Sequence, residues 1–174
     1  MPSADIPLRP ARPDDALCLG VLAAQVFTYA TGGIRPALAR EVLARCSTDA
    51  FAALLADAAS GLLVAERDGH LVGFAEVGHG AVQDLLPRRA GAELRRLYVQ
   101  TPFIGIGVGR RLLHGAEELA AARGAQALWL TVWTGNARAL AFYPREGYAA
   151  IGTTAYVFEG ESHENRLFAK ELVA

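Results

Sequence analysis

The chain has 174 residues, of which 52% are hydrophobic and 20% charged. This length and composition are typical of one folded globular domain, expected here over residues 1–174, and they exclude general disorder. The 17 basic and 18 acidic residues give a formal net charge of −1, which argues against general binding to nucleic acid or to an anionic membrane. No apolar run is long enough for a transmembrane helix and the N-terminus lacks a secretory pattern, so we expect a cytoplasmic protein.

The first third of the chain predicts one strand followed by helices. The strand covers residues 6–12, and the helices cover about 15–28, 36–46 and 50–59. We expect Asp14 or Asp15 to cap the first helix and Asp49 to cap the third. Cys18 and Cys46 fall in apolar helical stretches with no CxxC pattern, so we expect two buried free thiols rather than a disulfide or a metal site.

The remainder alternates between strands and helices. Strands are predicted over residues 61–66, 71–77, 93–99, 128–132, 148–158 and 166–172, and helices over 108–123 and 136–145. Asp68-Gly69 between the first two of these strands predicts a hairpin turn. The fold class is therefore α/β (α+β), a mixed sheet flanked by helices.

A glycine-rich loop precedes the 108–123 helix. Its sequence, Ile104-Gly105-Ile106-Gly107-Val108-Gly109, frees the backbone to point its N–H groups toward one place in front of a helix N-terminus, which suits a pyrophosphate. A P-loop is excluded because arginines, not Lys-Ser/Thr, follow the last glycine, and the dinucleotide fingerprint fails at its third glycine. The alternative is a turn that only lets the helix and the strand approach closely.

A second candidate element begins at Asn136, which is a suitable N-cap for the following helix. Asn136, Ala139 and Tyr143 share one face of that helix, and a tyrosine hydroxyl there can donate a hydrogen bond or a proton. The alternative is that Tyr143 is a core aromatic, as we expect for Phe142. Pro144 follows directly and disfavours helical conformation at Tyr143.

The two elements together, with Glu93-Leu94-Arg95-Arg96-Leu97-Tyr98-Val99 before them and Leu128–Trp133 between them, resemble the GCN5-related N-acetyltransferase (GNAT) superfamily. Within it the chain is most similar to bacterial spermidine/spermine N-acetyltransferase-type members. The resemblance implies a mostly antiparallel seven-stranded sheet in which two strands, ending near Val99 and beginning near Leu128, splay apart around acetyl-CoA as co-substrate. No metal is expected.

The resemblance also implies which residues contact the co-substrate. The backbone of Leu97, Tyr98 and Val99 would pair with the pantetheine arm, Asn136 would bond to it, and Tyr143 would face the sulfur. The pyrophosphate would be held by amides of Gly105, Ile106, Gly107, Val108, Gly109 and Arg110. Ile104 stands where the family usually has Gln or Arg, so one polar contact is expected to be missing.

Transfer to an amine makes three demands on the protein. The amine must be neutral, the oxygen that becomes negative needs a hydrogen-bond donor, and the departing thiolate benefits from a proton. We expect a backbone N–H of residues 97–99 as the donor, Tyr143 as the acid and Glu93 as the base, directly or through water. Glu76 is the second candidate base. Further candidates are His79 and His163. The alternative for the carboxylates is solvated charge at a strand end, and for the histidines ordinary loop positions.

The acceptor site, by the same resemblance, lies between the first two helices and the loop that joins the last two strands. Phe27, Tyr29 and residues 31–33 would line one side, and the acidic segment 159–164 the other. We expect a small-molecule primary amine, with a polyamine first. The alternatives are a protein or peptide acceptor, or a non-catalytic acyl-CoA-binding sensor domain. Members of the superfamily are often dimers, so a homodimer is considered.

Overall fold

The structure, a computed structural model, describes residues 6–31, 33–86, 91–158 and 160–172. The helices are α1 (Ala16–Thr31), α2 (Pro36–Arg45), α3 (Thr48–Ala56), α4 (Val108–Ala122) and α5 (Ala137–Arg145). The strands are β1 (Leu8–Pro10), β2 (Ser60–Arg67), β3 (His70–His79), β4 (Gly91–Val99), β5 (Ala127–Trp133), β6 (Ala149–Phe158) and β7 (Glu161–Glu171). Element types and their order along the chain agree with the sequence-based prediction.

The strands form one seven-stranded sheet in the order β1-β2-β3-β4-β5-β7-β6. β4 and β5 pair in parallel, through Gly91–Glu93 against Ala127–Trp129, whereas β1–β2, β5–β7 and β6–β7 are antiparallel. The predicted mixed sheet is therefore confirmed. Asp68 and Gly69 both have positive φ, at 50° and 79°, so the β2–β3 connection is the predicted tight hairpin turn.

Two strand boundaries differ clearly from the prediction. β1 is confined to Leu8–Pro10, where it pairs with β2, and is shorter than the strand predicted over residues 6–12. β7 begins at Glu161 instead of residue 166, because β6 and β7 form a hairpin that is paired from Phe158↔Glu161 to Ala149↔Ala169, with a register shift between Ala150 and Gly152. Backbone pairing with β6 makes the polar segment 161–165 part of β7, although its side chains do not show the apolar alternation that predicts a strand.

Contacts divide the chain into two compact units, residues 1–76 with 96–116 and residues 77–95 with 117–174. The first unit has an aromatic core in which Phe74 packs edge-on against Phe51 and Tyr98, with ring centroids 5.6 and 5.4 Å apart. In the second unit, Trp129, Leu167 and Ala169 pack with Leu86. The expected single domain stays a prediction.

At the starts of α1 and α3, the structure differs from the predicted capping residues. Asp15 lies in a 3₁₀ turn before α1, and its carboxylate accepts from the Arg12 N–H (2.7 Å) and from both terminal nitrogens of Arg9 (2.7 and 2.9 Å). It therefore anchors the turn to β1 instead of occupying the N-cap itself. α3 is capped by Ser47, whose hydroxyl accepts from the Ala50 N–H at 3.1 Å, and not by Asp49, which lies inside the first turn.

Asp15→Asn should lower the free energy of unfolding at pH 7 by about 1–2 kcal/mol. The Arg9 guanidinium lowers the pKa of the Asp15 carboxyl below its ordinary value. That contribution is complete above the unfolded-state pKa of about 4 and is lost as pH falls through the folded-state pKa. Urea unfolding from pH 7 to pH 3 should show the gap between variant and wild type closing below about pH 4. An equal gap at both pH values would contradict the assignment, and Asp14→Asn, on an exposed neighbour, is the control.

The two cysteines are free, as predicted, but Cys18 is not buried. It lies on the outward face of α1 beside the exposed side chains of Leu17 and Val21, whereas Cys46 is half-buried. Because α1 is apolar along most of its length, its sequence does not indicate which face is exposed. Within the described parts of the chain, no helix has both the length and the hydropathy needed to cross a membrane.

Candidate active site

The glycine loop forms a tight turn into α4. Gly105 and Gly107 have φ of 86° and 93°, values that only glycine adopts without strain. The first helical hydrogen bond runs from the Arg111 N–H to the Gly107 carbonyl at 3.1 Å, so the amides of Val108 and Gly109 precede it and point out of the helix N-terminus. The turn thus presents backbone donors and the positive end of the α4 dipole together, which suits an anion.

The two arginines after the loop differ in role. Arg111 donates from Nη1 to the Ile6 carbonyl at 2.7 Å and ties α4 to the chain before β1. Arg110 is exposed, as is Ile104, where 38% of the residue is accessible. The N-terminal end of α4 therefore carries one solvent-facing guanidinium beside its backbone amides.

The predicted pantetheine strand, Leu97–Val99, is the last part of β4. Tyr98 directs its ring into the core against Phe74, and burial raises the pKa of its hydroxyl. Its predicted contribution to binding is thus confined to its backbone. Val99 lies beside the start of α4, where a Cβ built at Gly109 would be 3.8 Å from the Val99 Cγ2.

Glu76, the second candidate base, is only 2% exposed. Its Oε2 lies 3.3 Å from the Arg96 Nε, and Arg96 stacks over the Phe51 ring at 5.1 Å from its centroid. Arg96 also donates to the Arg45 carbonyl at 3.4 Å. Glu76 is therefore half of a buried ion pair. No role is predicted for Arg96 from the sequence, although opposite charges on neighbouring strands are a usable signal for such a pair.

Glu93, the favoured base, is partly exposed near the start of β4. Its Oε2 lies 3.5 Å from the Arg95 Nε, so the two residues share a face as strand alternation predicts. The Arg95 guanidinium crosses over Gly78, where a Cβ would lie 2.5 Å away. The pKa of His79 is lowered by desolvation and by the charges of Arg123 and Arg95, so its imidazole is neutral near pH 7.

Asn136 caps α5, as predicted, by accepting from the Ala139 N–H at 3.1 Å. Pro144 is predicted to disfavour helical conformation at Tyr143, but Tyr143 is helical, since α5 runs through Pro144 to Arg145. Pro144 lies in the last turn, where its missing N–H costs one hydrogen bond. The helix then closes with Gly147 N–H to Pro144 O (3.2 Å) and Tyr148 N–H to Tyr143 O (3.1 Å), at a Gly147 φ of 89°.

The side chain of Tyr143 is buried among aromatic rings, with 7% of the residue exposed. The ring centroids of Phe142, Tyr148 and Phe168 lie 5.2, 5.6 and 6.0 Å away. Tyr143 is therefore both a core aromatic and a rigidly held phenol. The two interpretations that the sequence leaves open for Tyr143, a core aromatic and a hydrogen-bond or proton donor, are thus compatible with each other.

The predicted acceptor residues fall on α1, which extends three residues further than expected, to Thr31. Tyr29 is 70% exposed and Phe27 half-buried. Gly32 and Glu159, which belong to the predicted acceptor segments, lie outside the described residues. His163 on β7 packs against Trp133 at 6.4 Å, and its Nε2 is 3.9 Å from the Glu161 Oε2. Among the described residues, no group of three or more His, Cys, Asp or Glu side chains could hold a metal ion.

Comparison with known proteins decides the family. The model of the acetyltransferase (GNAT) family matches residues 33–148, a range that contains the glycine loop, Asn136 and Tyr143. This chain belongs to the GNAT family. It is 34% identical over 165 residues to an uncharacterised N-acetyltransferase of Mycobacterium tuberculosis. The aligned region covers 91% of this chain and 99% of that relative. This GNAT protein is accordingly an N-acetyltransferase.

Two further comparisons bear on fold and acceptor. Streptothricin acetyltransferase of Streptomyces lavendulae is 36% identical over 97 residues, covering 56% of this chain and 48% of the relative. The structure of a PaiA N-acetyltransferase from Thermoplasma acidophilum in complex with coenzyme A superposes with a TM-score of 0.72, at 21% identity, over 95% of this chain and 98% of that one. This likeness confirms the GNAT fold, whereas the spermidine/spermine type stays a prediction.

Proposed function

We propose that this GNAT protein transfers the acetyl group of acetyl-CoA directly to a primary amine of a small molecule. The observation that carries the proposal is the start of α4, where Gly105 and Gly107 at positive φ turn the backbone donors outward in front of the helix dipole. A Cβ built at Gly105 meets no protein atom within 4 Å, so the space beside the loop is open to a ligand. These features fit a pyrophosphate.

By the family resemblance, amides from Gly105 to Arg110 would hold the pyrophosphate, and the backbone of Leu97–Val99 would pair with the pantetheine arm. By the same resemblance, Asn136 would bond to pantetheine and Tyr143 would face the sulfur. Asn136 already uses its side-chain oxygen on the Ala139 N–H. Its amide nitrogen is therefore the group that we assign to the pantetheine.

The co-substrate supplies an activated acetyl group as a thioester. Glu93 takes a proton from the acceptor ammonium, directly or through water, so that the neutral nitrogen can form its bond to the acetyl carbon. A backbone N–H of residues 97–99 donates to the acetyl oxygen as negative charge develops there. As the carbon–sulfur bond breaks, the Tyr143 hydroxyl gives its proton to the sulfur. The second proton that the nitrogen loses in becoming an amide returns to Tyr143, directly or through water, and the proton held by Glu93 is released to solvent. Cys18 and Cys46 have no part in this direct transfer.

For the acceptor we propose a cationic small amine, with polyamines first. Glu161 and Glu164 on β7 are exposed, and their carboxylates attract an ammonium group. The name of streptothricin acetyltransferase also indicates a small-molecule acceptor for one relative. Polyamines come first because of the resemblance to spermidine/spermine N-acetyltransferase-type members, and the homodimer is proposed on the family resemblance alone.

The deciding experiment measures acetyl-CoA-dependent thiol release with spermidine, spermine, amino sugars, free amino acids and short peptides. CoA binding is followed in parallel by thermal shift. We expect release with a polyamine above the rate without amine. Release with peptides alone would retain the enzyme class and discard the small-molecule acceptor. CoA binding without release from any amine would favour a sensor domain.

Gly105→Ala should weaken CoA binding about tenfold, or about 1.4 kcal/mol, and lower stability by about 1 kcal/mol. The added methyl group strains a backbone at φ 86° and enters the open space that the pyrophosphate needs. Gly124→Ala is the matched control, because Gly124 has φ 82°, has no atom within 4 Å of a built Cβ and ends α4 at its other end. Calorimetric titration with CoA should separate the variants. Equal affinities would contradict the phosphate assignment.

A further inference from the structure

A charged cluster anchors Tyr148, which lies in the turn between α5 and β6. The Tyr148 hydroxyl donates to the Glu117 Oε1 at 3.0 Å, and Lys170 Nζ lies 2.9 and 3.0 Å from the two Glu117 oxygens. Lys170 also lies over the Tyr148 ring, 5.6 Å from its centroid. The three groups come from α4, the α5–β6 turn and β7. We call them the Glu117 cluster.

The cluster contains Lys170, the only lysine of the chain, whereas every other basic side chain apart from histidine is an arginine. Its stem lies along Gly147, where a built Cβ would be 3.6 Å from the Lys170 Cε. An unbranched ammonium chain fits beside this turn and reaches both oxygens of one carboxylate. Neither Glu117 nor Lys170 has a role that is predicted from the sequence.

The cluster continues to the proposed acid. Tyr148 packs edge-to-face on Tyr143 with ring centroids 5.6 Å apart, and its N–H donates to the Tyr143 carbonyl at 3.1 Å. Tyr148 is 3% exposed, so neither ring can turn without moving the other. Fixing the Tyr148 hydroxyl therefore fixes the wall against which Tyr143 rests.

We propose that Glu117 and Lys170 are positioning residues for Tyr143, which hold its ring through Tyr148 and keep the local charge balanced so that the phenol remains protonated. This inference rests on the proposed function, in which Tyr143 protonates the departing sulfur. It adds two residues that act through another residue and contact no reacting atom.

The charges of the Glu117 cluster predict opposite effects for removal of the carboxylate and for removal of the ammonium group. The titratable and charged groups that face the tyrosine pair are Glu117, Glu146 and Lys170. Desolvation raises the pKa of Tyr148, as do the Glu117 charge and hydrogen bond and the neighbouring Tyr143 and Glu146. Removing only the carboxylate leaves an uncompensated ammonium that favours tyrosinate, and removing only the ammonium leaves a carboxylate that disfavours it.

The test compares Glu117→Gln, Lys170→Met and the double variant. In the pH profile of kcat, the basic limb is the fall in kcat at high pH. The pH at its midpoint should decrease by about half a pH unit or more in Glu117→Gln and increase by a similar amount in Lys170→Met. It should return toward wild type in the double variant. Tyr148→Phe, which removes only the hydroxyl, should lower kcat with little change in KM. Glu41→Gln, at the exposed Glu41–Arg45 pair, is the control for a changed net charge.

A second readout does not depend on turnover. In protein labelled at the tyrosine Cζ with ¹³C, the pH titration of the Tyr143 signal, assigned with Tyr143→Phe, should follow the same order among the variants. Limb shifts of the same sign in both single variants, or unchanged titration of the Tyr143 signal, would overturn the inference and leave a purely structural anchor. Full turnover in Tyr143→Phe would instead contradict the proposed acid. If Glu117→Gln fails to fold, Lys170→Met and the double variant still give the signed comparison.

Discussion

Tyr143→Phe is expected to lower kcat by about 10²-fold while the Kd for CoA stays within about twofold of wild type. The variant keeps the ring that packs between Phe142, Tyr148 and Phe168 and removes only the hydroxyl. If that hydroxyl protonates the departing sulfur, its loss acts on the transition state and not on co-substrate binding. Steady-state kinetics with the amine identified in the panel, and calorimetric titration with CoA, measure the two effects separately.

Tyr156→Phe on β6 provides the matched control, because it removes the same hydroxyl from a more exposed tyrosine. Thermal unfolding of both variants checks that the Tyr143 effect is not a loss of fold. An unchanged kcat in a well-folded Tyr143→Phe would mean that the thiolate leaves with a proton from solvent. The family and the glycine loop would be unaffected by that result.

Local chemistry made the glycine loop and the hairpin turn predictable. Gly105, Gly107 and Gly69 each adopt a positive φ that few other residues tolerate, so the sequence itself marks these turns. The Asn136 cap was predictable for a similar reason, since its side chain satisfies an amide three residues away. All these signals act within a few residues along the chain.

Features that depend on distant partners were not predictable in this way. The ion pair of Glu76 joins neighbouring strands, and the Glu117 cluster joins α4 to β7. The sequence predicts Asp14 or Asp15 as a helix cap, yet the main partner of Asp15 is Arg9 on β1. A carboxylate looks the same in sequence whether it is a base, a cap or half of an ion pair. Only the groups brought beside it by the fold decide among these roles.

The two candidate bases should therefore respond differently to the same substitution. Glu93→Gln is expected to lower kcat at pH 7 by about 10²-fold with little change in stability, since Glu93 is partly exposed beside Arg95. Part of the rate should return at high pH, where more of the amine is already neutral and needs no base. Rate measurements from pH 6 to pH 10, with urea unfolding at pH 7, test this expectation.

Glu76→Gln is expected to act mainly on folding. The side chains of Glu76 and Arg96 are 3% and 13% exposed, so removing the carboxylate leaves a buried guanidinium without its counter-charge. Breaking one side of such a pair costs about 3–5 kcal/mol. The double variant Glu76→Gln/Arg96→Met should recover much of that stability, because no unpaired charge then remains. A stable Glu76→Gln with a kcat loss that high pH restores, together with an active Glu93→Gln, would reverse the two assignments and make Glu76 the base.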